Sequence, residues 1–476
     1  MGNQIGKVVG EPPPDLFRVY IKLNDDEYVY PGELLIAESQ LSAHNVLVRA
    51  INVEEVNKSI SADSLSIEEK LGYKDETEDY PLGKYRVVVA EVLDCIEEKK
   101  NGMIVLKGNV CTAKPGGYVY PLSNELTQII FNGKKLDERK SIVIGSVNAG
   151  KASVPFTIDP DIFMRHVLVI GNTGSGKSWF RGVVMEKLKE KDVFQANFDP
   201  MGEYVEAVKQ LGGVNLRIGR DFLLPLWTLK PNQFYDLIYD FVPTEFQRTI
   251  AVEAFKRMRE RKGSIKDLIE EVDNVADEMN ARDDTRENTI NRLKVFFDTL
   301  EIAGDDDPVD KIAKNINEKQ LLNFDFFGLN ELQRDYAVAS IMAMLYDFRS
   351  SRPPLIRKPI LVAIDEAHLY VPSGKRTLSR DIIKDVLRYG RHVGVALMLI
   401  TQLPSSMDEE AVEMPAVKII FATSYDQLRG IRFALSDLPD DILESIGKME
   451  RGKAIITGTR DQIRYSVLVG IASERK

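Results

Sequence analysis

The residues best suited to chemistry lie in one glycine-rich stretch, Gly171-Asn172-Thr173-Gly174-Ser175-Gly176-Lys177-Ser178. It fits the pattern G-x-x-x-x-G-K-[ST], whose glycines let the backbone curl so that its N–H groups point at phosphate oxygens. The apolar run 166–170 before it predicts a buried strand, and the apolar spacing over 178–190 after it predicts a helix. A strand, a glycine loop and a helix N-terminus together favour a phosphate site over a chance glycine-rich turn.

Two side chains of this stretch specify the ligand. Lys177 is placed to reach the β- and γ-phosphates of a nucleoside triphosphate, and the hydroxyl of Ser178 is placed to ligate Mg²⁺. All eight residues of the stretch are therefore predicted to bind ATP, with Mg²⁺ as the accompanying ion.

A pair of acids follows a second apolar run. Residues 359–364 predict a buried strand, and Asp365 and Glu366 come directly after it. This is the arrangement of a Walker B strand, in which Asp365 holds the Mg²⁺ shell and Glu366 orients and deprotonates the attacking water. Paired acids after a strand also occur by accident on surfaces, but together with the phosphate loop they predict an ATPase.

Three more side chains flank predicted strands of the same core. Gln402 follows the apolar strand 393–400, where it is placed to sense the γ-phosphate. Arg391 precedes that strand, a position that suits an arginine finger donated to a neighbouring subunit, with a surface ion pair as the alternative. Asp199 ends the strand 193–198 and faces the nucleotide region, with helix capping as the alternative.

A basic, glycine-bearing loop over residues 371–380 lies beyond the Walker B strand. Lys375, Arg376 and Arg380 are candidates for contacts with DNA phosphates, since such contacts come mainly from lysine and arginine. An ordinary solvated loop is the alternative.

Composition limits the class of protein. The chain has 476 residues, a formal net charge of −10 and only two cysteines. A disulfide scaffold is thereby excluded, and Cys95 and Cys111 are predicted to be small buried residues in a reducing cytoplasm. The apolar runs are far too short to span a membrane, so no membrane partner is expected. The acidic charge excludes a generally basic surface but leaves room for a basic channel within a ring.

The elements that must position these residues fall into four predicted segments. Residues 1–150 read as a small closed β-barrel of short strands with a hairpin at Asn101-Gly102, interrupted over 52–80 by a helix and a loop. We expect this barrel to serve assembly or partner docking, with nucleic-acid binding as the alternative. Residues 151–228 and 319–476 predict an α/β core, and 229–318 predict a helical insertion. In the core, a helix from Asp381 is expected to stop at Gly390, and the last two strands are expected to pair around 459–461.

Five motifs, in this order and spacing, resemble the HerA family of hexameric DNA translocases within the FtsK–HerA group of P-loop ATPases. Besides the loop 171–178 with Arg165-His166 before it, they are Asp199-Pro200-Met201-Gly202-Glu203-Tyr204, Asp365-Glu366-Ala367-His368, Gly390-Arg391-His392-Val393-Gly394 and Thr401-Gln402-Leu403-Pro404-Ser405.

The resemblance implies a HAS-type N-terminal β-barrel and a RecA-like core with a helical subdomain. It also implies a homohexameric ring with ATP sites between subunits. Arg391 matches the family's trans-acting arginine, Arg165 a second arginine near the subunit junction, and Gln402 the sensor. Family members usually have arginine where this chain has Leu403, so no contact is carried over at that position.

Members of this family thread double-stranded DNA and commonly work with a NurA-type nuclease in end resection, while others sit in antiviral complexes with different effectors. The leading hypothesis is therefore an ATP-driven DNA translocase that works with a nuclease or another effector. The alternative is an ATP-stabilised hexameric scaffold that organises and activates such a partner with little motor activity. A two-lobed DEAH helicase is excluded, because only about 110 residues follow His368 and no Q-x-x-G-R-x-x-R pattern occurs among them.

Overall fold

The structure is a computed structural model whose chain forms two compact units. The first unit comprises residues 1–159, 419–425 and 435–476, and the second comprises 160–418 and 426–434. The residues that the structure describes are 3–41, 44–57, 84–98, 104–106, 108, 110–123, 126–127, 129–130, 141–149, 152–191, 193–305, 307–435, 437–458, 463 and 465–472.

A closed β-barrel opens the first unit, as predicted. Its strands are β1 (Gly6–Val8), β2 (Arg18–Leu23), β3 (Leu34–Glu38), β4 (His44–Asn57), β5 (Lys84–Glu98), β6 (Ile104–Leu106) and β7 (Tyr118–Pro121). They follow the order β2-β1-β7-β3-β4-β5, and pairing of β2 with β5 closes the barrel, while β6 adds to the outside edge of β5. Alternate residues such as Val19 and Ile21 point inward, so the barrel has its own apolar core.

The predicted helix and loop over 52–80 is wrong for its first six residues. Residues 52–57 extend β4, which stays paired with β5 as far as Asn57 and Lys84. The side chains of Asn52, Glu54 and Glu55 are exposed, because a paired ribbon that leaves the barrel core accepts polar residues. Residues 58–83 and the predicted turn at Asn101-Gly102 lie outside the described residues.

The two cysteines are buried in the barrel core, as predicted, but they are not free thiols. Cys95 and Cys111 form a disulfide across a Cα–Cα distance of 5.7 Å. The prediction of unpaired cysteines was wrong because it rested on their small number, whereas pairing depends on how the barrel brings two segments together.

The first unit continues into a hairpin of β8 (Ile142–Ala149) and β9 (Ala152–Ile158). The sequence-based boundary at residue 150 lies outside the described residues. That boundary, like the other predicted domain limits, stays a prediction.

The second unit is built on six parallel strands. They are β10 (Val167–Ile170), β11 (Phe194–Asp199), β12 (Val214–Arg217), β13 (Leu321–Asp325), β14 (Ile360–Ile364) and β15 (Val395–Thr401), in the order β12-β13-β11-β14-β15-β10. Every residue of β10, β11, β13, β14 and β15 is buried, as expected for a parallel sheet covered on both faces. The carboxyl ends of these strands meet at one edge, where α/β proteins bind ligands.

Helices lie between these strands or follow the last of them in the chain. They are α1 (Lys177–Glu190), α2 (Val205–Gln210), α3 (Pro231–Ile238), α4 (Glu245–Glu260), α5 (Ile265–Glu278), α6 (Asp283–Leu300), α7 (Val309–Lys319), α8 (Glu331–Ser350), α9 (Leu378–Val393), α10 (Glu409–Glu413) and α11 (Tyr425–Gly430). Helices α3 to α7 lie between β12 and β13 in the chain, where the helical insertion was predicted. No helix in the described part of the chain is both long and apolar enough to span a membrane.

The chain passes from the second unit into the first within β16 (Val417–Phe421) and ends with α12 (Asp440–Ile446), β17 (Lys453–Gly458) and β18 (Val467–Ile471). β17 and β18 pair antiparallel, which confirms the predicted final pair, and β18 also pairs with β8. The turn expected at 459–461 lies outside the described residues.

Helix α9 is longer than predicted at both ends. It begins at Leu378 rather than Asp381 and runs three residues past Gly390, ending before Gly394, whose φ is +82°. Gly390 is buried, and a Cβ placed there would collide with the carbonyl oxygen of Val395 at the start of β15. This glycine therefore permits close packing of α9 on the sheet and does not stop the helix.

We predict that Gly390→Ala destabilises the protein by about 2 kcal/mol, because the added methyl overpacks α9 against β15. Helix propensity alone predicts the opposite sign, a gain of roughly 0.5–1 kcal/mol. Urea unfolding measures the difference. Gly10→Ala is the control, since its Cβ meets the Cβ of Pro115 at an ordinary 3.7 Å. A Gly390→Ala midpoint equal to or above that of the wild type would show that the packing argument is mistaken.

Candidate active site

The glycine-rich stretch forms the loop between β10 and α1, as its pattern predicts. Gly174 has a φ of +77°, a conformation that residues with a Cβ rarely adopt, and the amide of Ser175 donates to the carbonyl of Asn172 at 3.2 Å. No side chain caps the first turn of α1. Its N–H groups are left available for an anion, and the buried hydroxyl of Ser175 has no hydrogen-bond partner in the described structure.

Lys177 folds back over this loop. Its Nζ donates to the carbonyl oxygens of Gly171 at 2.7 Å and Asn172 at 3.0 Å. Burial lowers the pKa of Lys177, while the carboxylates of Glu366, Asp365 and Glu203 act in the opposite direction. The ammonium group therefore sits between the phosphate loop and a cluster of acids, where phosphate oxygens can replace the two carbonyls.

Strand β14 delivers Asp365 and Glu366 to the same edge of the sheet. Burial, followed by repulsion from the Glu366 carboxylate, raises the pKa of Asp365 to about 7. The hydroxyl of Tyr204 donates to Oδ2 of Asp365 at 3.1 Å inside the protein. Glu203 adds a third carboxylate, which also raises the pKa of Asp365 and Glu366. Such an acidic cluster favours a bound cation.

The donor atoms fit Mg²⁺. The hydroxyl of Ser178 donates to Oε2 of Glu203 at 2.7 Å, so oxygen ligands from both the loop and the acidic cluster meet at this point. The described part of the chain holds no group of three His, Cys, Asp or Glu side chains arranged as a metal site. Mg²⁺ suits such a site because it takes few protein ligands and completes its shell with water and phosphate oxygens. Ser178 and Asp365 remain the candidate protein ligands.

Gln402 links the phosphate loop to the candidate base. Its Nε2 donates to Oε1 of Glu366 at 2.9 Å, and its Oε1 accepts from the hydroxyl of Thr173 at 2.8 Å. The second carboxylate oxygen of Glu366, Oε2, is buried and accepts no hydrogen bond from a described residue, although Nδ1 of His368 lies 3.4 Å away. Glu366 thus has one oxygen held by Gln402 and one available for a water molecule.

Asp199 positions a turn. Its two carboxylate oxygens accept from the backbone amides of Glu203 at 3.0 Å and Tyr204 at 2.9 Å, and it is fully buried. These contacts hold the turn before α2 and do not cap that helix, whose N-cap Tyr204 has no side-chain cap hydrogen bond. They explain how Glu203 and Tyr204 reach the site. The proposed catalytic role of Asp199 stays a prediction. Sequence reasoning did not assign roles to Glu203 and Tyr204, although both belong to the motif that begins with Asp199.

Arg391 lies on the exposed last turn of α9, and its guanidinium forms no hydrogen bond or ion pair with another described residue. The alternative of a surface ion pair is therefore not seen in the described part of the chain.

Near Arg391, His166 is buried with a φ of +60°, and its Nδ1 accepts the amide of Leu397 at 3.0 Å. Burial and the charge of Arg391 lower the pKa of His166 to about 4. Arg165, the residue before His166 in the chain, is half-buried.

The three candidate DNA contacts differ in their surroundings. Lys375 forms an ion pair with Glu331, and Arg380 forms one with Asp408. Arg376 is exposed and makes no ion pair with a described residue. Two of the three cations are therefore engaged within the protein itself.

Comparison with known proteins matches the motifs and the fold. Residues 142–345 match the family model described as the central domain of helicase HerA. The "DNA double-strand break repair helicase HerA" of Sulfurisphaera tokodaii is 27% identical over 66% of this chain and 67% of its own length. The protein of the same name from Pyrococcus furiosus is 23% identical over 99% of this chain and 92% of its own length.

Among solved structures, VirB4 of Thermoanaerobacter pseudethanolicus superposes with a TM-score of 0.52 at 15% identity, over 72% of this chain and 98% of VirB4. This likeness supports the fold alone. Together with the phosphate loop and the paired acids, the family model and these relatives support a P-loop ATPase that is similar to the HerA family.

Proposed function

We propose that this protein is a ring-forming, ATP-driven double-stranded DNA translocase that works with a partner nuclease or another effector in DNA end processing or antiviral defence. The carrying observation is that a phosphate loop and paired acids meet at one edge of the sheet in a chain that aligns over 99% of its length with a relative named as a DNA double-strand break repair helicase. Both parts are needed, because the site supports hydrolysis and the relatives support DNA as the substrate.

The proposed hydrolysis follows from the positions of the side chains. The loop amides and Lys177 hold the triphosphate, and Oε2 of Glu366 accepts a proton from the attacking water. Gln402 fixes the other oxygen of Glu366 and so orients this base relative to the phosphate loop. Ser178 and Asp365 would hold Mg²⁺, whose charge would neutralise the negative charge that develops on the phosphates.

A ring is proposed because the site is short of positive charge. Lys177 is the cation whose charge acts on Glu366 in the described part of the chain. Phosphoryl transfer is strongly accelerated by an additional arginine. Arg391 is exposed and forms no ion pair with a described residue, which suits donation to the site of the next subunit in a homohexamer, with Arg165 as a second arginine at that junction.

The alternative is an ATP-stabilised hexameric scaffold that organises and activates a nuclease or effector with little motor activity. The observation that favours it is the internal pairing of Lys375 and Arg380, which leaves few free cations on the loop predicted to contact DNA.

The test of the proposed function is ATP hydrolysis with and without linear duplex DNA, together with the mass of the protein in solution. We expect a hexamer whose turnover rises severalfold with duplex DNA. A hexamer that hydrolyses ATP at the same rate with and without DNA would contradict the motor and favour the scaffold.

Replacing the candidate base should separate binding from hydrolysis. We predict that Glu366→Gln retains ATP but loses at least about a hundredfold in turnover, because the amide cannot accept the proton from water. Lys177→Ala is the paired variant and should lose nucleotide binding itself. A fluorescent ATP analogue reports binding and phosphate release reports turnover. Normal turnover by Glu366→Gln would rule out this residue as the base.

Donation of Arg391 between subunits predicts a non-linear mixing curve. When wild type is mixed with Arg391→Ala before ring assembly, activity should fall faster than the wild-type fraction, because one defective subunit disables its neighbour's site. Dilution of wild type with buffer is the control. A strictly proportional loss would mean that Arg391 does not act across the subunit junction.

A further inference from the structure

Helix α9 carries three cations on one face, and all three are held by carboxylates of the same chain. Arg380, Lys384 and Arg388, here called the basic stripe, recur at four-residue spacing. Asp408 forms ion pairs with Arg380 and, at 3.2 Å, with Lys384. Glu410 forms ion pairs with Lys384 at 2.9 Å and with Arg388, whose two nitrogens contact its two oxygens as a fork.

These ion pairs are partly shielded from water. The side chain of Asp408 is only 9% exposed, and those of Lys384 and Glu410 are 20% and 25% exposed. Burial alone would raise the pKa of Asp408, but hydrogen bonds from Arg380 and Lys384 outweigh it and lower that pKa. The cluster therefore stays charged near neutral pH.

The basic stripe lines a cleft of ≈ 770 Å³ that also includes residues of α3. Lys230 and Arg376 add positive charge to the cleft, and Asp236, Asp381 and Asp385 add negative charge. Lys230 is neutralised by Asp385 at 2.8 Å, whereas Arg376 has no ion-pair partner among the described residues. The lining residues alone carry five cations and three carboxylates, and Asp408 and Glu410 balance this excess through their ion pairs with the basic stripe. Without these two carboxylates, the cleft would suit an anion with several charges in a row.

The segment 403–410, which carries Asp408 and Glu410, is also joined to the candidate active site. Ser373 donates its amide to the carbonyl of Ser406 at 2.8 Å, and Asp408 donates its amide to the carbonyl of Val371 at 2.9 Å. These two segments follow Glu366 and Gln402, respectively, along the chain. The side chains of Glu366 and Gln402 are hydrogen-bonded to each other, so the two segments are held together both where they begin and at these backbone pairs.

We propose that Asp408 and Glu410 occupy the basic stripe in place of DNA phosphates, and that the phosphodiester backbone of duplex DNA displaces them. Carboxylates and phosphates suit the same two-pronged guanidinium contact, as seen between Arg388 and Glu410. Displacement frees the segment 403–410 to shift, and that segment begins next to Gln402. Binding of DNA would thereby reach the residue that holds the candidate base. This inference rests on the proposed DNA translocase function.

The test compares two neighbouring charge removals in the full-length protein. Glu410→Gln removes a carboxylate from the basic stripe, whereas Glu409→Gln removes the same charge from an exposed residue that makes no ion pair with a described residue. Anisotropy of a short fluorescent duplex gives DNA affinity at several salt concentrations. We expect Glu410→Gln to raise affinity about threefold or more, with a steeper loss on adding salt, and Glu409→Gln to match wild type. ATP turnover without DNA should also rise in Glu410→Gln.

A second variant checks that the gain acts through the basic stripe. Arg388→Gln added to Glu410→Gln should cancel the gain in DNA affinity. Equal gains in Glu410→Gln and Glu409→Gln would reduce the effect to overall charge and overturn the proposal. A change in oligomeric mass without a change in DNA affinity would instead make the cluster a contact between copies of the chain.

The outcomes also separate this inference from the function on which it rests. If wild type binds duplex DNA and is stimulated by it, but Glu410→Gln behaves like Glu409→Gln, the displacement proposal fails and the translocase stands. If wild type and all variants neither bind nor respond to DNA, the translocase fails as well. If only Glu410→Gln and not wild type binds DNA, the masking of the basic stripe is supported.

Discussion

The paired hydrogen bonds of Gln402 are the interaction on which the candidate site depends, because they join the phosphate loop at Thr173 to the acid Glu366. They form only if three parallel strands keep their register. Ile170 pairs with Thr401 and Ile364 pairs with Leu399, so the chain emerges from β10, β14 and β15 at nearly the same level. The full burial of these strands makes a slip of register costly.

The charges around this link are balanced by polar groups that come from several elements. The acids of β14 face Lys177 from the phosphate loop, while Tyr204 holds Asp365 from the turn that Asp199 organises. Behind them, the fully buried Arg181 of α1 donates to the side-chain oxygens of Asn197 and Gln195 on β11. A buried guanidinium that bonds to amides rather than carboxylates leaves its charge to act on Tyr204. The site is thus supported by a polar layer beneath α1.

The sequence predicted best those features whose functional residues are adjacent in the chain. The phosphate loop and the acids after β14 are predictable because a few adjacent residues form the whole feature between apolar runs. Tyr204 and Asp365 are 161 residues apart, so their contact depends on which strands become neighbours. The disulfide and the extension of β4 were not predicted for the same reason, because both are created by pairing of segments that are distant in the chain. At Gly390, a local rule for helix ends was overridden by packing against β15.

One further consequence follows from the backbone of Glu366. Its φ of +49° and ψ of 44° lie in the left-handed region, which costs a residue with a side chain on the order of 1 kcal/mol or more. The conformation is held by the carboxylate of Asp365, which accepts the amide of Glu366 at 3.0 Å, and by the amide of Leu369, which donates to its carbonyl. That cost is met when the protein folds, so the backbone bend that presents the Glu366 carboxylate is part of the fold.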